Sequence, residues 1–350
     1  MCLARRRWMR LSSVCLLIGC SVVAQAAGDP LFAGHELLQI TISAPFSSIM
    51  RNRSDEEFVP GTLSYSEPGR DPVVFDIGLR PRGNFRLRAD LCDFAPLSVN
   101  FVKSQTANTL FENQDKLKLV THCQYNDTYE QSVVSEYLVY RVFNVLTDVS
   151  FRARLLRVVY VDTGRENREI EAFAFFIEHK DRLAQRQQLA TVETRRVGIS
   201  QMPPAYANLT SVFHFFIGNT DFSHIAPEPD GNCCHNHSLF ANDAGVRYSV
   251  PYDFDMSGFV KAPYSFPSQK SRLRHVRQRR YQGWCVNNDH LPASVAFMVE
   301  KRAEINDLIR AQQELKEYKR KSLLKFLDDF YKAVDTPRKV EKKLIRDCLE

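Results

Sequence analysis

The residues best suited to chemistry fall in three short segments, Gly218-Asn219-Thr220-Asp221, Cys234-His235-Asn236-His237 and Pro251-Tyr252-Asp253-Phe254-Asp255. Between the last two lie the β-type runs His237 to Ala241 and Val246 to Pro251, joined by the turn-forming Asn242-Asp243-Ala244-Gly245. Pairing of these runs brings Asn236 and Asp253 to the same end of a two-stranded ribbon. An amide oxygen beside a carboxylate suits a hard cation such as Mg²⁺ or Mn²⁺ carrying the phosphates of a nucleotide. Asp221, upstream of both, stands where a carboxylate would orient or deprotonate an acceptor hydroxyl, and Asp255 is available as a further metal ligand or as a helix cap. Taken singly, Asn219 to Asp221 would cap a turn and Asp253 a helix start; their order around a hairpin is what points to a site.

Ordinary protein kinases hold a lysine on the nucleotide phosphates with a helix carboxylate, and a resemblance to them implies such a pair here. Lys118 ends an alternating strand, and Glu136 follows eighteen residues later inside a helix, a spacing that allows the two to pair. Lys116 competes with Lys118. Arg82 and Arg86 flank Gly83-Asn84 and can offer cationic donors to phosphate, standing in for an absent glycine-rich loop, or can be solvated strand residues.

The elements that must position these groups divide in two. From Leu37 to Ile42, Val73 to Leu79, Leu97 to Val102 and Lys116 to Val120, short apolar or alternating runs are broken by Pro, Gly and Asn, which predicts strands. A helix begins near Asp127-Thr128, with Thr128 and Gln131 in capping-box spacing and an apolar stripe at Val134, Leu138, Val142 and Val145. A hairpin follows, from Ala153 to Val161 and Ile170 to Glu178 around Asp162-Thr163-Gly164-Arg165. From about Asp181 the character is helical, with an apolar segment at Asn208 to Phe216 and charged amphipathic stretches from Ala293 to Leu349.

Gly218-Asn219-Thr220-Asp221, His235-Asn236 with its following strand, and Pro251-Tyr252-Asp253 resemble the catalytic segments of spore-coat (CotH-type) kinases. Arg80-Pro81-Arg82-Gly83-Asn84, the helix opening at Tyr125-Asn126-Asp127, and Phe176-Ile177-Glu178-His179-Lys180 resemble further landmarks of that family, over roughly residues 70 to 260. The resemblance implies an α+β, bilobal protein-kinase-like fold. Its parts would be a β-rich N-terminal lobe over residues 27–180 and a helical C-terminal lobe with the catalytic hairpin over 181–350. It implies ATP and Mg²⁺ or Mn²⁺ as cofactors, a protein hydroxyl as acceptor, Asp221 as base, Asn236, Asp253 and Asp255 at the metal, and Lys118, Glu136, Arg82 and Arg86 around the nucleotide. The chain departs from ordinary kinases in two places. Fifteen residues separate Asp221 from Asn236, against five in the kinase catalytic loop, and Asp255 stands where kinases have glycine. The same residues would also serve AMP transfer, and a non-catalytic envelope binding protein could retain them.

Arg5, Arg6, Arg7 and Arg10 precede an apolar run from Leu11 to Val23 and the small-residue sequence Ala24-Gln25-Ala26, which predicts a signal peptide over residues 1–26 and an exported, periplasmic or extracellular protein. Leu17-Ile18-Gly19-Cys20 also reads as a lipoprotein box, which would tether the chain to a membrane through Cys20. No later stretch approaches the roughly 20 apolar residues of a transmembrane helix. The net charge of +6 falls to about +2 without the leader, and the seven cations between Lys261 and Arg280 read as a solvated face rather than a nucleic-acid surface. Cys92, Cys123, Cys233, Cys234, Cys285 and Cys348 remain, an even number that favours up to three disulfides with the pairing open. A zinc site at Cys233, Cys234, His235 and His237, or a transition metal among His214, His224, His235 and His237, is the alternative.

Overall fold

In the computed structural model, residues 29–350 are described, except 68 and 228–230. The expected signal sequence and the lipid-bearing Cys20 lie outside the described residues. Among the described residues ten strands form two sheets: β1 (Leu38–Ala44), β2 (Val59–Tyr65), β3 (Val73–Pro81), β4 (Leu97–Phe101), β5 (Lys116–Val120), β6 (Ala153–Asp162) and β7 (Arg168–Ile177) in the first, and β8 (Ala190–Thr191), β9 (His237–Ala241) and β10 (Arg247–Pro251) in the second. The first sheet closes on itself in the order β1-β2-β3-β4-β5-β7-β6. All neighbours in it are antiparallel except β1 and β6, which run parallel from Leu38 opposite Leu156 to Ala44 opposite Asp162.

The alternation of the strands decides what fills this barrel. In β3 every second residue from Phe75 points inward, and Ile40, Ile42, Leu63, Phe75, Leu79, Val99, Leu119, Val158 and Phe176 form a continuous interior. Gly61 lets β2 approach its neighbour, because a Cβ there would meet the Ser43 carbonyl at 2.7 Å.

The expected bilobal, protein-kinase-like arrangement is not the fold. The seven-stranded closed barrel replaces an open N-terminal sheet, and the helices after residue 181 do not form a separate lobe with a core of their own. Val134, Leu138 and Phe143 of the Asp127–Leu146 helix and Phe175 and Ile177 of β7 share one apolar cluster with Phe213, Phe254, Met298, Ile309, Phe326 and Phe330. Closure depends on the pairing of β1 with β6, more than a hundred residues apart, which local alternation does not encode. The β2 run, interrupted by Pro60 and Gly61, carries only a weak strand signal of its own.

Smaller expectations are met. The helix, the β6–β7 hairpin and the β9–β10 hairpin lie within a few residues of where periodicity puts them. The helix cap is Asn126, whose Oδ1 accepts the Thr128 and Tyr129 N–H groups, rather than a capping box at Thr128. Six cysteines pair as Cys92–Cys123, Cys233–Cys234 and Cys285–Cys348. Among the described residues no helix is long and apolar enough to cross a membrane. The disulfides are compatible with export.

Candidate active site

The site is built where the Pro204–Ile217 helix ends beneath the β9–β10 hairpin. Gly218 terminates that helix in the left-handed region, at φ 64°, a conformation glycine adopts without a Cβ penalty. The chain then turns through Asn219, whose Oδ1 accepts the Asp221 N–H at 2.9 Å in an Asx turn. On the other side, Cys234 and His237 exchange backbone hydrogen bonds of 3.3 and 3.2 Å, so His235 and Asn236 form the tip of a tight turn that opens β9. Asn236 takes φ 54° and Asp253 φ 62°, a region that Asn and Asp tolerate better than most residues.

That turn brings Asn236 onto Asp221. Asn236 Nδ2 donates to the Asp221 carbonyl at 2.7 Å and to its Oδ2 at 3.0 Å. His235 Nε2 lies 2.9 Å from Asp221 Oδ1. The Asp221 side chain remains 30% exposed, so a hydroxyl arriving from solvent can reach it. With Nδ2 committed, Asn236 keeps Oδ1 as the atom that can ligate a cation. At the hairpin's other end the Tyr252 N–H donates to the Asn236 carbonyl at 2.9 Å, extending the β9–β10 pairing to the residue before Asp253.

Behind this pair lies a buried acidic cluster. The Asp253 N–H donates to the Tyr140 hydroxyl at 2.9 Å, and the Phe254 N–H donates to Glu136 Oε1 at 3.3 Å. The Tyr264 hydroxyl donates to Asp255 Oδ2 at 3.1 Å. Burial, and then repulsion from Asp253, pushes the Asp255 carboxyl up to about 7. Burial, with Asp255 and Asp253 next, holds Glu136 well above the usual carboxylate range. Arg86 is the cation facing Asp255, Glu136 and Asp253, and it is buried with its Nη2 on the Thr121 carbonyl at 2.5 Å.

Two expectations need correction here. Glu136 does not pair with Lys118. Its carboxylate is turned to the Phe254 N–H and the field of Arg86, because a buried carboxylate is satisfied by the nearest donors. Arg86, in turn, is taken up by Thr121 and the acidic cluster and is not presented to a phosphate.

Lys118 is half-buried, with Nζ 4.3 Å above the Tyr252 ring, and makes no ion pair among the described residues. Burial, and then the charge of Arg82, lowers it to about 7, while Asp253 acts the other way. Arg82 is also half-buried. Lys118 and Tyr252 line a cavity of about 380 Å³ whose other walls include Glu178, Val192, Leu239 and the Cys233–Cys234 disulfide. That volume is within the range of small-molecule sites. A larger cavity, about 660 Å³ beside Phe46, Tyr125 and Arg168, contains none of the site residues.

The residues fit a divalent cation only as an open site. No set of three His, Cys, Asp or Glu side chains among the described residues has the spacing to hold an ion. An ion completed by phosphate oxygens and water needs only one or two protein ligands, and Asn236 Oδ1 and the Asp253 carboxylate are the oxygen groups that would hold it. The alternative zinc sites are not assembled. Cys233 and Cys234 are bonded to each other, and His214 Nε2 lies 2.9 Å from His237 Nε2 in a hydrogen bond between buried imidazoles.

Of the residues singled out in the sequence, the fold brings Asn236 onto Asp221 and leaves Asp253 next to Tyr252, whose N–H meets the Asn236 carbonyl; three further partners carried no such assignment. His235 on Asp221, Tyr252 under Lys118 and Tyr264 on Asp255 were not assigned these roles. His235 carried a local signal, its position beside Asn236; Tyr264 sits in an irregular segment where no pattern marks it. No protein-family model matches this chain, and no match was found among curated proteins.

Proposed function

We propose that this protein transfers the terminal phosphoryl group of ATP to a hydroxyl on a protein, with Mg²⁺ or Mn²⁺. The observation that carries the reading is the Asp221 carboxylate, exposed on one side and gripped by His235 and Asn236 on the other, at the mouth of the hairpin that also presents Asp253. The resemblance of these same segments to CotH-type kinases supports it. A kinase fold is not required, because phosphoryl transfer asks for positioned charges rather than a particular scaffold.

Each residue then has a role. Lys118, on the cavity wall, and Arg82, whose charge acts on Lys118, provide positive charge for the phosphates. Asn236 Oδ1 and Asp253 would hold the cation, which neutralises charge on the β- and γ-phosphates when bound. Asp221 takes the proton as the acceptor oxygen bonds to the γ-phosphorus and the bond to ADP breaks; His235 and Asn236 keep the carboxylate oriented. Tyr140, on the Asp253 N–H, and Glu136, on the Phe254 N–H, hold the backbone that carries Asp253, with Asp255 and Arg86 buried beside them.

The test pairs two variants. Asp253→Ala should abolish Mg²⁺-dependent binding of a non-hydrolysable ATP analogue in calorimetry. Asp221→Ala should bind like wild type and lose transfer by at least a hundredfold. ATP labelled at the α- or γ-phosphorus separates AMP transfer from phosphoryl transfer. Wild-type protein that binds no nucleotide with either ion sinks the enzyme reading and leaves the envelope binding role.

A further inference from the structure

Cys233 and Cys234 are adjacent and joined to each other. A disulfide stabilises a fold chiefly by closing a long loop in the unfolded chain, and adjacent residues close almost none. Cys92–Cys123 and Cys285–Cys348 span 31 and 63 residues and serve that purpose. Whatever the Cys233–Cys234 bond does is therefore local, and its surroundings say what is local to it.

The pair forms part of the wall of the 380 Å³ cavity, which Lys118 and Tyr252 also line. Both residues are largely buried, at 7% and 5% exposure, and the cavity is lined by both. The Cys233 N–H is tied to the Thr194 carbonyl at 2.7 Å. Cys234 is bonded through its backbone to His237, closing the turn whose tip is His235-Asn236, and that tip grips Asp221. One covalent bond thus borders the cavity and stands at the base of the turn that positions the candidate base.

We propose that the Cys233–Cys234 disulfide is a reducible wall of this cavity, and that its opening by a small dithiol weakens nucleotide binding and loosens the grip of His235 and Asn236 on Asp221. The binding half rests on the proposed nucleotide function; the turn half does not. In the reaction one thiolate of the dithiol attacks a cysteine sulfur and the S–S bond breaks. Its electron pair leaves on the other cysteine, which takes a proton. The second thiol of the reagent then resolves the mixed disulfide, so the protein gains two electrons and two protons while the reagent becomes a cyclic disulfide. Freed sulfurs cannot stay at bonding distance. They move to non-bonded contact, roughly 3.5 Å or more, which pushes one of them into the cavity or shifts the turn.

The experiment uses the purified oxidised protein, the protein treated with a limited amount of a small dithiol, and the Cys233→Ser/Cys234→Ser double variant. Alkylation and peptide mass mapping establish which cysteines were reduced. Titration with a non-hydrolysable ATP analogue and Mg²⁺ should show affinity at least tenfold weaker in the reduced and double-variant proteins, with the melting temperature unchanged. Equal affinities in all three overturn the proposal. So does reduction that attacks Cys92–Cys123 or Cys285–Cys348 before the adjacent pair. If oxidised wild type binds no nucleotide, the nucleotide reading fails and the turn is tested alone. In protein labelled with ¹⁵N at histidine, the His235 signals should shift on selective reduction. Unchanged His235 signals, with alkylation confirming that the pair is open, overturn the inference regardless of nucleotide.

Discussion

Replacing Asp255 by asparagine removes one of three carboxyl groups that share Arg86 as their facing cation, while an amide of the same shape can still meet the Tyr264 hydroxyl. The wild-type carboxyl titrates near 3.8 in the unfolded chain and about 7 in the fold. Its folded form therefore favours the protonated state. The stability it contributes is complete below the unfolded value and is lost as pH rises between those two values. A displacement of this size corresponds to about 4 kcal/mol, at about 1.4 kcal/mol per unit. Asp255→Asn should match wild type near pH 4, gain about 1.4 kcal/mol for each pH unit up to 7, and keep a constant advantage above it. For a chain this long, with unfolding entropy of about 2.1 cal/mol/K per residue, the full gain raises the melting temperature by roughly 6 °C at pH 8. Thermal unfolding followed by circular dichroism from pH 4 to 9 reads it directly. A variant and wild type whose melting curves run parallel across that range would refute the argument that Asp255 is a buried, repelled carboxyl. Millimolar Mg²⁺ with nucleotide should raise wild type more than the variant at pH 8, since bound positive charge relieves the same repulsion.

Other outcomes follow from the same geometry. Cys92→Ser/Cys123→Ser opens a loop of 31 residues and should cost roughly 3 to 4 kcal/mol in urea unfolding; a loss below about 1 kcal/mol would mean that the unfolded chain is not constrained by that bond. Lys118, lowered to about 7, should regain its proton beside phosphates, so nucleotide binding at pH 8 takes up a proton. Calorimetry in two buffers of different ionisation enthalpy measures this, and Lys118→Met should abolish it. Burial holds His214 and His237 neutral, well below 6.5. Stability from this source is present above about 6.5 and lost as pH falls, because the unfolded imidazoles take protons that the folded ones refuse. His237→Gln should flatten that acid slope, and an unchanged slope would assign the acid lability to other groups.

The order Asp221, Asn236, Asp253 and the hairpin that gathers them were readable from the chain, because turn residues and short alternating runs act over a few residues. The helix at Asp127–Leu146 was readable for the same reason, and an even set of cysteines announced disulfides though not their pairing. The barrel was not. Its closure joins β1 to β6 across most of the sheet, and nothing in either strand names its partner. Nor could the sequence assign charges to neighbours. Glu136 has the right spacing for Lys118, yet the fold turns it to Phe254 and Arg86, and leaves Lys118 over Tyr252. Spacing along a chain limits which groups can meet. Which of them do is decided by burial, since a charge withdrawn from water takes whatever donor the packed core brings within reach.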